Sequence, residues 1–215
     1  MGRRLKYDMT GPDWRRSLEE IQEKGWRELF EALPGESPTL VVEMGFGRGE
    51  FLLGQATRRQ ECAFIGIDYS RKRVLKFARR LARTEVFNIR LVEVTAENFV
   101  RTGLGDGCVD EFWINFPDPW PKARHARRRL LKSSFVAQLR RLLRPGGVVF
   151  AATDSPEYAA EIELVLGEER GLENRYSSAW VHDVPGRMQT AYEKTWRAEG
   201  RTMYFFAYRR PEESE

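Results

Sequence analysis

From residue 39 onward, short β-rich apolar runs alternate with longer amphipathic stretches. Five runs read as strands: 39–45 (TLVVEMG), 63–68 (AFIGID), 89–95 (IRLVEVT), 109–116 (VDEFWINF) and 147–153 (GVVFAAT). Helical spacing fills the gaps between them. Over 71–84, Val74, Ala78, Leu81 and Ala82 form one stripe, with Lys72, Lys76, Arg79, Arg80 and Arg83 outside it. Over 127–144 the stripe is Leu131, Phe135, Leu139 and Leu142, and Arg144-Pro145-Gly146-Gly147 ends that helix. Residues 156–170 read as a further helix. Ahead of the sheet, 13–32 (Trp14, Leu18, Ile21, Trp26, Leu29, Phe30) reads as an amphipathic helix closed by Pro34-Gly35. Runs 175–184 and 202–210 read as a closing antiparallel strand pair. This alternation predicts an α/β fold, a parallel sheet with helices on both faces. The chain divides into an N-terminal arm and helix, 1–38, and a sheet domain, 39–215, within a single domain overall.

At 215 residues the chain supports one sizeable core. Its net charge is only +4, but the charges are sorted. No acidic residue lies between Asp118 and Asp154, whereas Lys122, Arg124, Arg127, Arg128, Arg129, Lys132, Arg140, Arg141 and Arg144 do. Acidic residues gather in 157–173 and in the tail Glu212, Glu213 and Glu215. A basic face and an acidic end follow, and such a basic face suits a polyanion. Cys62 and Cys108 are far apart and form no CxxC, so they read as buried reduced thiols with no zinc site and no disulfide. The N-terminus lacks an apolar leader and no apolar run has membrane-spanning length, which points to the cytoplasm.

Two turns carry candidate chemistry. The first strand delivers Glu43-Met44-Gly45-Phe46-Gly47-Arg48-Gly49-Glu50, a glycine-rich turn that brings backbone close to a ligand at the sheet edge. Glu50 stands where a dinucleotide fingerprint needs its third glycine, and there is no phosphate-loop lysine. The ExGxG order resembles motif I of the class I S-adenosylmethionine-dependent methyltransferases, in which a carboxylate meets the cationic amino-acid end of the cofactor. Asp68, ending the second strand, is placed to accept from both ribose hydroxyls; its structural alternative is to cap the helix that starts near Ser70. Thr95 ends the third strand, where that class often carries Asp or Asn for the adenine amine. The second turn, INFPDPWPKARHARRR (114–129), holds Asp118 between prolines beside the basic run.

Through EMGFGRGE, GIDYS, NFPDPWPKARHARRR, ATDSPEYA and TAYEKTWRAEGR, the chain resembles the bacterial tRNA (guanine-N7-)-methyltransferase family over roughly 39–208. The resemblance implies a Rossmann-like class I methyltransferase, with a mostly parallel seven-stranded sheet. It also implies methyl transfer from S-adenosylmethionine to N7 of guanine 46 in the tRNA variable loop. By likeness of motif, Glu43, Gly45, Gly47, Asp68, Thr95 and Asp118 are cofactor-side residues, and Asp118 is also the catalytic one. Lys122, Asp154, Thr190, Ala191, Tyr192 and Glu193 would meet substrate, the last four as a loop closing over the guanosine. Arg124, Arg127, Arg128 and Arg129 would hold RNA phosphates. No metal is implied, and the protein would be a monomer or homodimer.

The chemistry is consistent with that set. Guanine N7 has a lone pair and no proton, so transfer needs alignment and tolerance of positive charge and no general base. A carboxylate, Asp118 or Asp154, can accept from guanine N1–H and the 2-amino group, which adenine cannot supply. Trp120 or Phe116 could stack on an extruded base. His125 reads as a phosphate or turn contact and His182 as structural. Two rivals are an adenine amino-methyltransferase, whose motif has adjacent prolines where this chain places Asp118, and a catalytically silent RNA-binding subunit.

Overall fold

The computed structural model describes residues 10–35 and 37–212. Residues 1–9 of the predicted N-terminal arm and the tail residues Glu213 and Glu215 lie outside the described residues. In chain order the elements are β1 (Arg15–Arg16), α1 (Leu18–Lys24), β2 (Leu40–Met44), α2 (Glu50–Arg58), β3 (Ala63–Asp68), α3 (Arg71–Leu81), β4 (Ile89–Glu93) and α4 (Ala96–Thr102). They continue with β5 (Val109–Asn115), α5 (Ser133–Leu142), β6 (Leu143–Thr153), α6 (Pro156–Gly167), β7 (Glu173–Asn174), α7 (Ala191–Ala198) and β8 (Tyr204–Arg209). Short 3₁₀ turns occupy Glu28–Phe30 and Ala123–Arg128.

The sheet runs β1-β4-β3-β2-β5-β6-β8-β7, parallel from β1 to β6, with β8 antiparallel to both β6 and β7. It is therefore the expected mostly parallel sheet with an antiparallel end, in eight strands, because the two-residue β1 pairs beside β4. Along β2, Leu40, Val42 and Met44 join one core and Val41 the other, the two-residue period of a strand. Helices α4, α5 and α6, with Ile21, Trp26, Leu29, Phe30 and Leu33, cover the first face; α2 and α3 cover the second. The order reverses at β2, which pairs with β3 on one side and β5 on the other. Such a reversal opens a crevice beyond the strand ends, where α/β sheets bind ligands.

Tertiary contacts shortened several predicted elements. The 13–32 helix is broken: Trp14 O accepts from Leu91 N at 3.0 Å, which draws 15–16 onto the sheet, and Ser17 Oγ caps α1 through Glu20 N at 3.1 Å. Gly25, at φ 77°, ends it. The 127–144 helix begins only at Ser133, because Arg129 turns back to Pro119 O (2.7 Å) and Glu161, and Tyr158 Oη accepts from Leu131 N at 3.0 Å. The predicted stop at 144–147 lies inside β6 as a bulge, where the register with β5 jumps from Val109↔Leu143 to Glu111↔Val148. The predicted 175–184 strand does not form: β7 ends at Asn174, ahead of it, and the run keeps one Val181–Phe205 bridge, because Asn174 folds the next residues into a turn through Tyr176 N and Ser178 O, both at 2.9 Å. Helices α3 and α6 end at Leu81 and Gly167, ahead of the predicted 84 and 170. Cys62 is buried, while Cys108 is only half-buried.

Candidate active site

A cleft of about 750 Å³ lies beyond the carboxyl ends of β2, β3, β4 and β5. Its floor is the turn from β2 to α2. Gly45 and Gly47 adopt φ of 74° and 58°, a region that disfavours side chains, and among the described residues no atom beyond its chain neighbours lies within 4 Å of where a Gly45 Cβ would stand. Backbone is thus laid open to the cleft. Glu43 lies beneath, 2% exposed. Its Oε1 accepts from Asn115 Nδ2 at 3.1 Å, and its buried Oε2 has no hydrogen-bond partner among the described residues. Burial pushes its pKa up to about 7, against the opposing pull of Asn115 and the Arg187 charge. That carboxylate oxygen, beside the glycine turn, retains its acceptor capacity.

Asp68, 2% exposed, ends β3 across the turn. Oδ1 accepts from Ser70 N at 2.8 Å, and Oδ2 accepts from Gly47 N at 3.2 Å and from Arg73 at 3.5 Å. The carboxylate caps the start of α3 and lines the cleft as well. Thr95 lines the far wall and spends one lone pair capping α4 through Asn98 N at 3.3 Å. Its hydroxyl proton remains available to an acceptor.

The proline turn forms the opposite side. Phe116 (φ 52°) and Trp120 (φ 44°) both take the left-handed conformation, which is costly for bulky residues. Surrounding contacts hold them there. Phe116 N donates to Ala152 O at 2.9 Å, and Trp120 lies under the Arg128 guanidinium (4.9 Å) and edge-on to His125 (5.8 Å). Between the two strained aromatics the exposed Asp118 carboxylate lines the cleft.

Thr190, Ala191 and Tyr192 line the same cleft, but as the start of α7 and not as a loop. Thr190 Oγ1 accepts from Glu193 N at 2.9 Å, an N-cap that makes this T-x-x-E stretch helical. Glu193 parts company with its neighbours: it is 1% exposed and is held by Arg187 and by Arg197 Nε at 3.0 Å. Asp154, just after β6, reaches the cleft indirectly, accepting from Tyr192 Oη at 3.1 Å and from Arg201 at 2.6 Å. His182 Nδ1 meets Met203 O at 2.8 Å, away from the cleft lining.

The basic run is divided by the fold. Arg128 lines the cleft; Lys122, Arg124 and Arg127 are exposed outside it. Arg129 is not on that surface. It is 5% exposed, bonded to Pro119 O and Glu161 over the Tyr158 ring, and it anchors the proline turn to α6. Arg140, Arg141 and Arg144 pair with Glu169, Asp106 and Asp110. Sequence reading passed over Asn115 and Arg187. Asn115 was visible as the last residue of β5 before Phe116-Pro117, but nothing local marks Arg187.

Residues 37–206 match a family model described as "Putative methyltransferase". A tRNA (guanine-N(7)-)-methyltransferase of Geobacter metallireducens is 33% identical over 87% of this chain and 88% of its own length. Another, from Leifsonia xyli, is 36% identical over 84% and 80%. A third, from Thermotoga maritima, is 34% identical over 86% of this chain, which spans only 57% of that relative. Among solved structures, the 16S rRNA methyltransferase KamB superposes with a TM-score of 0.63 at 16% identity, covering 86% of this chain and 93% of that one. A 16S rRNA (adenine(1408)-N(1))-methyltransferase from Catenulisporales acidiphilia, solved with cosubstrate SAM, gives 0.60 at 18% over 83% and 88%. These two likenesses establish the fold. The fold, the glycine and proline turns meeting in one cleft, and the relatives matched over most of their length together place this chain in the tRNA (guanine-N(7)-)-methyltransferase family.

Proposed function

We propose that the protein transfers a methyl group from S-adenosylmethionine to N7 of a guanine in tRNA, at position 46 of the variable loop, leaving 7-methylguanosine and S-adenosylhomocysteine. The observation that carries this reading is a single cleft containing both the glycine turn with Glu43 and the proline turn with Asp118. The unpartnered Glu43 Oε2 suits the cofactor's ammonium group, the open backbone at Gly45 and Gly47 suits close approach, and Asp68 retains lone-pair capacity for ribose hydroxyls. Thr95 would sit by the adenine.

When bound, S-adenosylmethionine supplies an electrophilic methyl group on a sulfonium sulfur. The protein's own residues then need only orient the guanine and tolerate charge developing on it. Asp118 would accept from guanine N1–H and the 2-amino group, which selects guanine over adenine and offsets the positive charge. Phe116, ring to ring with Tyr192, would give the extruded base a stacking wall. Thr190, Ala191 and Tyr192 would line the nucleoside side, with Asp154 behind Tyr192 and Glu193 fixing the helix from within. Lys122, Arg124, Arg127 and Arg128 would neutralise phosphates, and Arg129 would support the turn. We place the protein in the cytoplasm, as a monomer or homodimer, working without a metal.

The test is incubation with labelled S-adenosylmethionine and unmodified bulk tRNA, followed by digestion to nucleosides. Label in 7-methylguanosine is expected. Label in a methylated adenosine, or none, would refute the reading.

A further inference from the structure

Arg187 is buried between β5 and α7, its side chain 7% exposed. The guanidinium lies over the rings of Phe205 (4.7 Å), Phe51 (5.5 Å) and Trp113 (5.9 Å). Nη2 donates to Asn115 Oδ1 at 2.6 Å, and Nη1 donates to Met188 O at 3.3 Å and pairs with Glu193. Asn115 passes the contact on through Nδ2 to Glu43 Oε1 at 3.1 Å. A polar chain thus runs Glu43, Asn115, Arg187, Glu193, from beneath the glycine turn to the first turn of α7. Met188 clamps the same segment onto α2, where a Gly54 Cβ would stand 2.5 Å from its sulfur.

Burying a guanidinium costs free energy that pairing often only offsets, and an apolar side chain in the same aromatic box would hold the fold as well. An apolar side chain could not set the direction of the Asn115 amide. Arg187 only donates, so it takes the carbonyl oxygen and turns the NH₂ toward Glu43. That NH₂ occupies Oε1 and leaves Oε2 unpartnered. The groups acting on the Glu43 carboxylate are Asn115, Arg187, Glu50 and the Leu52 backbone, and Arg187 supplies the positive charge.

We propose that Arg187 is a positioning residue that joins the two sides of the cleft: through Asn115 it orients the Glu43 carboxylate for the cofactor, and through Glu193 it sets the first turn of α7 for the RNA. This rests on the function proposed above. Loss of Arg187 removes the charge that favours the Glu43 carboxylate, so the ionised form develops at higher pH. One unit of displacement from about 7 weakens cofactor binding about fivefold at pH 7, and the defect closes to within about twofold at pH 8.5.

The experiment measures S-adenosylhomocysteine binding by calorimetry between pH 6 and 8.5, the KM for tRNA and the melting temperature. The variants are Arg187→Met, Arg187→Lys, Asn115→Leu and Glu193→Gln. Arg187→Met is expected to shift the pH profile upward and to raise the KM for tRNA. Asn115→Leu should reproduce only the cofactor defect and Glu193→Gln only the tRNA defect, while Arg187→Lys, which keeps a cation, should lie between Arg187→Met and the parent. If the parent does not bind S-adenosylhomocysteine, the functional reading itself fails. If the parent binds and both Arg187 variants keep its pH profile, or Arg187→Met disturbs one side alone, only the joining role is overturned. Failure of both Arg187 variants to fold would overturn it as well, leaving Arg187 a residue of the core.

Discussion

Phe116 and Tyr192 meet with ring centroids 5.1 Å apart and planes inclined by 34°, so the strained turn after β5 and the first turn of α7 share one aromatic wall of the cleft. Behind it, Tyr192 Oη donates to Asp154 Oδ2 at 3.1 Å. Burial, and then the Asp154 charge, push the phenol up to about 12, which keeps it a donor across the physiological range. Tyr192→Phe should therefore retain the ring pair, cost about 1 kcal/mol of stability and raise the KM for tRNA more than it affects cofactor binding. Thermal melts and steady-state kinetics measure both, and an unchanged KM would remove the Tyr192–Asp154 bond from substrate binding.

Asp118→Asn should fold normally, because Asp118 is exposed, while placing a donor against guanine donors. A loss of about 2–4 kcal/mol of transition-state stabilisation is expected in single-turnover methylation. A rate within twofold of the parent would take Asp118 out of the site.

The divided basic run has separable consequences. Replacing exposed Arg124 and Arg127 with Ala should lower the slope of log K against log salt for tRNA binding by roughly 0.7–0.9 for each phosphate the two arginines neutralise. Arg129→Ala should leave that slope alone and lower the melting temperature, because Pro119 O loses its donor and the proline turn its anchor on α6. Equal effects of the two changes on the slope would contradict the division.

Burial makes the ionised Glu43 carboxylate oppose stability. Its folded pKa of about 7 lies above the ordinary 4.5, so between those values the folded protein binds the extra proton. Stability contributed by the protonated form is present below pH 4.5 and is lost as pH rises through 7. Glu43→Gln should thus be more stable than the parent at pH 8, by on the order of 3 kcal/mol, with little difference near pH 4.5, and should bind S-adenosylhomocysteine poorly. Denaturant melts at the two pH values decide it; equal stability at pH 8 would contradict the burden assigned to Glu43.

Thr190→Ala removes the cap on α7 and should cost about 1 kcal/mol. Its activity loss should track the loss of melting temperature. Activity that fell tenfold with no change in melting would instead make the hydroxyl a direct substrate contact.

Local pattern along the chain suffices for the parallel sheet, the glycine turn with Glu43 and Asp68, and the proline turn with Asp118. Each is set within a few residues: apolar runs of strand length, glycines that permit positive φ, and prolines that forbid a helix. Element boundaries and side-chain pairings come instead from contacts between segments distant in the chain. Arg127 to Lys132 have helical spacing, yet Arg129 finds Pro119 and Glu161, and Tyr158 takes the Leu131 N–H, so the helix waits until Ser133. Glu193 sits beside Tyr192 in sequence, but the helical turn that carries Tyr192 into the cleft turns Glu193 inward to Arg187 and Arg197. Arg187 itself carries no local signature, because its role depends on β5, α2 and α7 converging on one guanidinium, and long-range packing of that kind leaves no pattern along the chain.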